Sequence, residues 1–204
     1  MIHIHTLPLG VYQTNCYLVW GDGADSCVVI DPGFTPEVVL QEAANLHKTI
    51  EAVFLTHGHF DHVGGVEAIV KATGCALWMH EGDWSQKKNL ITARLYPLAN
   101  CAFCNVNFYE HMETVTAAGL TFTVYETPGH TYGSVCLAVE DALFTGDTLF
   151  AGSCGRTDLA GGSWNTIMES LHWLSQLEQD ATVYPGHGEA STLAREKQYN
   201  PYLK

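Results

Sequence analysis

The sequence predicts an α/β fold in which two β-sheets pack against each other and helices cover their outer faces. Short apolar or alternating runs, which are typical of strands, dominate the start of the chain and return after each helical pattern. The second half of the chain repeats this arrangement. With 204 residues and 47% apolar composition, residues 1–204 are expected to form one domain with a sizeable core.

The first half supplies strands at 2–6, 15–21 and 26–31, and then at 51–56 and 75–79. Pro36 opens a helix, because proline is tolerated in a first helical turn, and Val39, Ala43 and Leu46 follow along one face. A second helix is predicted at about 63–72. In the second half, a strand-like run covers 120–124, and strands at 134–139 and 142–146 form a hairpin. A helix follows at about 164–177, then a strand at 181–184 and a last helix at 191–198.

The segment 56–62 reads Thr-His-Gly-His-Phe-Asp-His and directly follows the apolar run 50–55. A buried strand fixes the backbone, and the loop after it can turn several side chains onto one point. Imidazole and carboxylate suit zinc, iron, manganese or cobalt, and the absence of cysteine argues against a closed structural zinc site. His57 and His59 can hold one ion, and Asp61 and His62 then point to a second position nearby.

Three later segments place one further metal-ligand type at the end of a strand-like run. These residues are His130, Asp147 and His187, and each follows a glycine. Glycine there permits a turn with positive φ and a close approach of the backbone to an ion. Together with the first motif, these segments supply five histidines and two aspartates, enough for two metal ions.

The order and spacing of these residues resemble the metallo-β-lactamase superfamily. Within it, Gly-Asp-Thr-Leu-Phe at 146–150, Cys-Gly-Arg at 154–156 and Val-Ile-Asp-Pro-Gly at 29–33 resemble the glyoxalase II-like (hydroxyacylglutathione hydrolase) branch. The similarity runs from about Asn15 to Leu203. The resemblance implies an αββα sandwich with a metal site at one edge, where strand ends converge.

The resemblance also implies a role for each ligand. The first ion would be held by His57, His59 and His130, and the second by Asp61, His62 and His187. Asp147 would bridge the two ions and set their spacing, while Asp61 would also orient the attacking hydroxide, which makes Asp61 and Asp147 the expected catalytic residues. The expected cofactors are two divalent ions, with zinc first and iron or manganese as alternatives.

The predicted reaction is hydrolysis of an acyl thioester such as S-lactoylglutathione. Two metal ions that share a water lower its pKa towards neutrality, and one of them polarises the substrate carbonyl. A thiolate leaving group, with a pKa of about 8.5, needs little protonation. Glyoxalase II enzymes usually continue into a helical C-terminal part that holds glutathione, whereas this chain ends at Lys204. The thiol carrier is therefore left open.

Three alternatives remain at this point. A mononuclear iron persulfide dioxygenase would share the stretch Gly-Arg-Thr-Asp at 155–158 and use only His57, His130 and Asp147, so the further ligands favour two metals and hydrolysis. A β-lactamase is disfavoured because Asp147 occupies a bridging position that those enzymes lack. A non-catalytic metal-binding domain is disfavoured because the full set of ligands is present.

The amino-acid composition limits the kinds of partner that the protein is expected to bind. A net charge of −13 with nine basic residues argues against nucleic acid, which requires a basic surface. The sequence contains no long apolar stretch and no signal-peptide pattern at its start, which predicts no membrane segment. Seven scattered cysteines favour a reduced, cytoplasmic protein. Cys101 and Cys104 have the spacing of a metal or redox pair but lack the second pair or helix that such a site needs.

Two further features are less regular. Segment 83–110 is rich in aromatic residues and is either a helix with an irregular connection, whose aromatic rings pack inward, or a cap over the metal cleft. Arg156 follows Asp147 closely enough to lie near the site. It is expected to brace a carboxylate through a forked pair, with a surface salt bridge as the alternative.

Overall fold

The structure, a computed structural model, describes residues 1–86, 98 and 105–203. It contains two six-stranded mixed sheets and a separate pair of short strands. Helices cover the outer faces of the two sheets, so the predicted αββα sandwich is confirmed. Within the described residues, no helix combines the length and the apolar character that crossing a membrane requires.

The first half of the chain builds the first sheet and its helices. The strands are β1 (Ile2–Leu9), β2 (Thr14–Gly21), β3 (Ser26–Ile30), β4 (Thr49–Phe54), β5 (Ala76–Met79) and β6 (Val106–Phe108). The helices are α1 (Pro36–Asn45), α2 (Phe60–Val63), α3 (Val66–Thr73) and α4 (Glu81–Gln86). The strands lie in numerical order, antiparallel from β1 to β3 and parallel from β3 to β6. Strands β3 and β4 therefore end at the same edge.

The second half builds the second sheet, in the order β14-β13-β10-β9-β8-β7. Its strands are β7 (Thr114–Ala117), β8 (Leu120–Glu126), β9 (Val135–Val139), β10 (Ala142–Gly146), β13 (Thr182–Pro185) and β14 (Ser191–Thr192). The short pair is β11 (Leu149–Phe150) and β12 (Ser153–Cys154), and the helices are α5 (Trp164–Ser175) and α6 (Leu193–Tyr199). Strands β8, β10 and β13 run in one direction, because β8 and β10 are both antiparallel to β9 and β13 is parallel to β10.

The alternation of side chains along each strand divides the apolar residues between separate cores. In β3, Val28 and Ile30 point between the sheets, where they join Phe122 and Phe144, whereas Val29 points towards α1 and α3. A third core joins the second sheet to α5 and α6. Each fully buried large apolar side chain contributes about 1.5–3 kcal/mol. The two sheets are thus fixed against each other, and so are the loops at their shared edge.

Two predicted helices differ from the observed ones. The helix expected at 63–72 is interrupted at Gly64 and Gly65, where the chain packs against the loop after β3: Gly65 N donates to the Pro32 carbonyl at 2.9 Å, and a Cβ on Gly65 would lie 2.6 Å from the Gly33 carbonyl. The last helix starts later than expected, at the residue after Thr192. Ser191 and Thr192 first pair with β13, and the Thr192 hydroxyl then caps the helix.

Candidate metal centre

The candidate ligands all lie at one edge of the sandwich, where strands from both sheets end. The loop after β4 carries His57, His59, Asp61 and His62, and the ends of β8, β10 and β13 lead to His130, Asp147 and His187. Loops beyond the carboxyl ends of parallel strands are where α/β folds bind their ligands. Neither sheet alone supplies the complete set.

The predicted ligand atoms form two groups whose spacing suits metal ions, and Asp31 with His57 and His62 forms a third that overlaps them. The first group is His57, His59 and His130, and the second is Asp61, His62 and His187; within each group the ligand atoms lie within 4.8 Å of one another. In the second group, His187 Nε2 lies 3.2 Å and His62 Nε2 3.7 Å from Asp61 Oδ2. Ligands at about 2.0–2.1 Å from a tetrahedral ion are roughly 3.4 Å apart. These separations match that edge length.

Asp147 lies between the two groups. Its Oδ1 is 3.3 Å from His62 Nε2, and its Oδ2 is 3.5 Å from His130 Nε2 and 3.7 Å from His187 Nε2. Because His130 belongs to the first group and the other two histidines to the second, one carboxylate reaches both positions. This is the arrangement that a bridging ligand requires.

Hydrogen bonds on the outer side of the histidine rings fix which nitrogen faces the site. His62 Nδ1 donates to Asp31 Oδ2 at 2.9 Å, and His130 Nδ1 donates to the Arg156 carbonyl oxygen at 2.7 Å. A ring that donates from Nδ1 keeps a lone pair on Nε2 when it is neutral. In their neutral forms, both rings therefore present an acceptor nitrogen to the centre, as a metal ligand must.

Buried polar atoms at this point show that the residues fit a cation. Within the described part of the chain, His57 Nε2, His62 Nε2 and Asp147 Oδ1 are buried and have no hydrogen-bond partner. A buried polar atom without a partner costs about 1–3 kcal/mol, and three at one place indicate a group that the protein itself does not supply. Imidazole nitrogens with carboxylate oxygens are the donor set of zinc and of divalent iron or manganese.

The charges within the site are strongly coupled. Burial opposes protonation of His62, but Asp147 and Asp31 outweigh it and raise the pKa of this imidazole well above its usual value. Burial would raise the pKa of Asp147, but the charge of His62, whose Nε2 lies 3.3 Å away, holds that pKa well below the usual range. Burial lowers the pKa of His57, and burial with the neighbouring His130 lowers the pKa of His59 to about 3. The carboxylates thus favour positive charge at the centre.

Asp31 contacts the candidate ligand loop, and the sequence motif alone assigned no role to this residue. It is buried at the end of β3, and its Oδ1 accepts from Thr56 N at 2.8 Å. Its Oδ2 accepts from Thr56 Oγ1 at 2.6 Å as well as from His62 Nδ1. Asp31 also has a left-handed backbone with φ of 50°, which is strained for a residue other than glycine. Asp31 orients the ligand loop. One feature of the sequence could have revealed this role, namely that a carboxylate follows the strand that lies beside β4.

Asp83 is a second such residue, and it joins two ligand loops. Its side chain is 1% exposed, its Oδ2 accepts from Gly58 N at 2.7 Å and Thr131 Oγ1 at 2.8 Å, and its Oδ1 accepts from Gly133 N at 2.8 Å. Gly58 lies between two candidate ligands, and Thr131 follows another. Desolvation raises the pKa of Asp83, although these three donors oppose the shift. The local sequence around it gave no sign of this long-range role.

The loop that carries His187 is fixed by residues at the start of β2. The Asn15 side-chain amide donates to the Pro185 and Gly188 carbonyls, both at 3.0 Å, and the Tyr17 hydroxyl donates to the Pro185 carbonyl at 2.6 Å. Thr14 Oγ1 donates to Asp61 Oδ2 at 3.2 Å. These contacts join the two sheets directly at the site.

The glycine before His187 has the predicted role of allowing close approach. A Cβ on Gly186 would lie 2.3 Å from Asp147 Oδ1 and 2.6 Å from His62 Cε1. Any other residue would displace Asp147 and His62. The glycine before Asp147 has the other predicted role, since Gly146 has a φ of +47°.

Beside the two groups lies a cavity of about 420 Å³. The lining combines candidate ligands with apolar side chains and one arginine: Tyr12, His59, Phe60, Asp61, His130, Asp147, Phe150, Arg156, Leu159 and His187. Small-molecule sites commonly have this size and mixture.

Arg156 differs from the expected role. Its guanidinium is 61% exposed and forms a forked pair with Asp158, with both N–O distances 2.7 Å, so it braces no candidate ligand. The residue contributes to the site through its backbone carbonyl, which orients His130.

The segment expected as a possible cap lies partly outside the described residues. Residues 87–97 and 99–104, which include Cys101 and Cys104, belong to that part. Of the described aromatic residues in the segment, Tyr109 is 3% exposed and stacks on Trp78, and Trp84 packs against the core beneath the first sheet. The described residues of 83–110 do not line the cavity, and the cap stays a prediction.

Comparison with known proteins identifies the family. The family model of the metallo-β-lactamase superfamily matches residues 9–187. The chain belongs to the metallo-β-lactamase superfamily. Hydroxyacylglutathione hydrolase GloC of Haemophilus influenzae is 31% identical over 212 residues, which cover 99% of this chain and 98% of GloC. The resemblance to the superfamily and to its glyoxalase II-like branch is therefore confirmed.

Solved structures of the superfamily give the same result. The B3 metallo-β-lactamase BLEG-1 superposes with a TM-score of 0.84 at 32% identity, covering 99% of this chain and 100% of BLEG-1. TTHA1623 in a di-iron-bound form superposes with a TM-score of 0.83 at 34% identity, covering 98% of this chain and 100% of TTHA1623. ETHE1 from Myxococcus xanthus superposes with a TM-score of 0.80 at 29% identity, covering 98% of this chain and 83% of ETHE1. The chain is thus a member of a metallo-hydrolase superfamily and carries its His and Asp metal-binding clusters.

Proposed function

We propose that this protein is a binuclear metal-dependent hydrolase of acyl thioesters. The observation that carries the proposal is the position of Asp147, whose two oxygens reach histidines of both ligand groups. In this proposal His57, His59 and His130 hold one ion, Asp61, His62 and His187 hold the other, and Asp147 bridges them. The similarity to hydroxyacylglutathione hydrolase GloC supports the thioester class.

Divalent cations at such a site lower the pKa of water and polarise a carbonyl. The residues of the chain supply the remaining functions. Asp61 holds its Oδ2 towards the centre through the Thr14 hydroxyl and His187, and these contacts place a carboxylate where it can orient a nucleophile and accept its proton. The pKa of Asp61 is lowered, because the His187 hydrogen bond and the His62 charge outweigh burial, so this acceptor is ionised at neutral pH.

The buried side of the site excludes water and fixes the ligands. His57, His59, His62 and His130 are each at most 4% exposed, while the His187 side chain is 31% exposed at the mouth of the cavity. A substrate therefore reaches the centre from the His187 side. A thiolate leaves without needing a proton donor, so the proposal requires no additional acid.

Metal content measured beside a substrate panel tests the proposal. The purified chain should contain about two divalent ions and hydrolyse acyl thioesters, lose activity on chelation and regain it on reloading with zinc, iron or manganese separately. Replacing His187 by Ala should lower metal content and rate, while the matched change at the exposed His172 on α5 should alter neither. Full thioester turnover by protein shown to be metal-free would refute the proposal.

The same panel tests the alternatives. One iron per chain with oxygen consumption on a persulfide would favour the mononuclear dioxygenase, against which the second group of ligands argues. Because the chain is similar to the B3 metallo-β-lactamase BLEG-1, the substrate panel also includes a β-lactam. A metal-loaded chain that turns over none of these substrates would favour a non-catalytic metal-binding domain.

A further inference from the structure

Three aromatic rings lie together, and two of them, Tyr12 and Phe60, line the cavity. Tyr12 and Phe60 pack edge to face with ring centroids 5.3 Å apart, and Phe34 lies 6.0 Å from Phe60. Tyr12 is 54% exposed and Phe34 37% exposed. We call Tyr12, Phe34 and Phe60 the aromatic patch. Exposed aromatic rings that contact one another leave apolar surface in water, and such surface commonly marks a binding site.

The backbone around the patch is shaped to hold it in place. A Cβ on Gly10, in the turn between β1 and β2, would lie 3.1 Å from Phe34 Cβ, and a Cβ on Gly64 would lie 2.9 Å from Phe34 Cδ1. The two glycines therefore let the chain close on both sides of the ring. A patch held in this way is a preformed surface, which binds a ligand with little ordering cost.

The patch is continuous with the metal centre. Tyr12 and Phe60 line the same cavity as Asp61 and His187, and Phe60 directly precedes Asp61 in sequence. On the other side of the cavity, Phe150 lies 6.4 Å from the His187 ring. A chain attached to a carbonyl at the centre can therefore extend over the rings without leaving the cavity.

The charges of the lining favour an apolar chain over an anionic one. Apart from the candidate metal ligands, the described residues that line the cavity include one charged side chain, Arg156, and Asp158 already pairs with it. The two acidic side chains of the lining, Asp61 and Asp147, are candidate metal ligands and are not free to contact a substrate chain. The apolar rings thus offer the larger part of the surface available for selective contact outside the metal centre.

We infer that the aromatic patch binds the acyl chain of the substrate, so that the enzyme selects thioesters with an unbranched apolar acyl group over acetyl thioesters. The inference rests on the proposed thioester hydrolysis and adds its substrate class. The chain runs from the carbonyl carbon over Phe60 to Tyr12, while the thiol portion points to the open side. Each methylene that is fully buried favours binding about fourfold, and one that is half-buried about twofold.

A series of thioesters with one thiol tests this selection. Acetyl, butyryl and hexanoyl thioesters of N-acetylcysteamine are compared by kcat/KM on the metal-loaded chain. Hexanoyl differs from acetyl by four methylenes, so its kcat/KM should be about 16-fold higher if they are half-buried and about 250-fold higher if they are fully buried. Tyr12→Ala should reduce this ratio at least about fivefold. The matched control is Tyr199→Ala, because Tyr199 is 66% exposed on α6 and away from the cavity lining; it should leave the ratio unchanged.

The outcomes separate this inference from the proposed function. Hydrolysis of acetyl and hexanoyl thioesters at equal kcat/KM would overturn the inference and leave thioester hydrolysis standing, whereas no hydrolysis of any thioester by protein with full metal content would overturn both. A ratio that Tyr12→Ala leaves unchanged, at unchanged metal content, would also overturn the role of the patch. A second series with a constant acyl group and different thiols completes the test, since selectivity that follows the thiol would place the thiol on the rings.

Discussion

Replacing Asp31 by Asn should weaken metal binding, because Asp31 orients the candidate ligand His62. The carboxylate accepts three hydrogen bonds, from Thr56 N, Thr56 Oγ1 and His62 Nδ1. An amide has one oxygen and one nitrogen donor, so in either orientation a donor group faces at least one N–H or O–H. One buried hydrogen bond is lost and a donor is left unpaired, which costs about 1–3 kcal/mol.

Two measurements follow from this loss. For a chain of this size, about 1 kcal/mol lowers Tm by roughly 2–4 °C, so the metal-free variant should melt about 2–12 °C below the parent. His62 also loses the partner that fixes its ring, and loss of such a partner weakens metal affinity by about 10- to 100-fold. Competition with a chelator of known affinity measures the second effect independently of the first.

The chain contains a matched control for this change. His3 and Asp22 form an equivalent pair on the surface, with 2.7 Å between His3 Nε2 and Asp22 Oδ1 and with both side chains exposed. Asp22→Asn should change metal affinity by less than about twofold and Tm only slightly, because exposed pairs contribute about 0–1 kcal/mol. An Asp31→Asn variant with the metal affinity and Tm of the parent would refute the reasoning.

Three further changes have distinct expected results. Asp147→Ala should reduce metal content to one ion or fewer and lower kcat/KM at least about a hundredfold, since one carboxylate serves both groups. Asp61→Asn should keep at least one ion and lower kcat far more than it changes KM, because the amide keeps the shape but cannot accept a proton. Asp83→Asn should lower the free energy of unfolding by about 1–3 kcal/mol in chemical denaturation, because the amide cannot accept from all three donors.

Each of these predictions has a contrary result. Two ions and a near-normal rate in Asp147→Ala would show that this residue is not a bridge. A change confined to KM in Asp61→Asn would show that the carboxylate only shapes the cavity. Parental stability in Asp83→Asn would show that the two ligand loops do not depend on their shared acceptor.

The sequence predicted the parts of the site that are local and missed those that depend on long-range contacts. The ligand loop after β4 was visible because four ligand-type residues follow one apolar run. The roles of Asp31 and Asp83 could not be seen in the same way. Their partners lie 25 or more residues away and are mostly backbone N–H groups or hydroxyls, which leave no pattern in the sequence.

The same limit applies to the fold. The strands and the sandwich follow from apolar alternation, which is a local property. The break between α2 and α3 does not, because it results from the packing of Gly65 against the loop after β3. A forked pair between Arg156 and a carboxylate was predicted, but the expected partner, a carboxylate at the metal centre, was wrong. The observed partner is Asp158, and nothing in the sequence distinguishes it from a carboxylate at the centre.

The division of the ligands between the two sheets has a consequence for the order of assembly. His59 and His130 are 71 residues apart in the chain, and His62 and His187 lie in different halves of the sequence. Closing such long loops is entropically costly until the sheets have docked. In the proposed binuclear centre, neither ion would find its full coordination in one half of a partly folded chain. Metal capture would therefore come after docking, and a bound ion would then oppose separation of the sheets. Chelation should therefore accelerate unfolding as well as stop turnover.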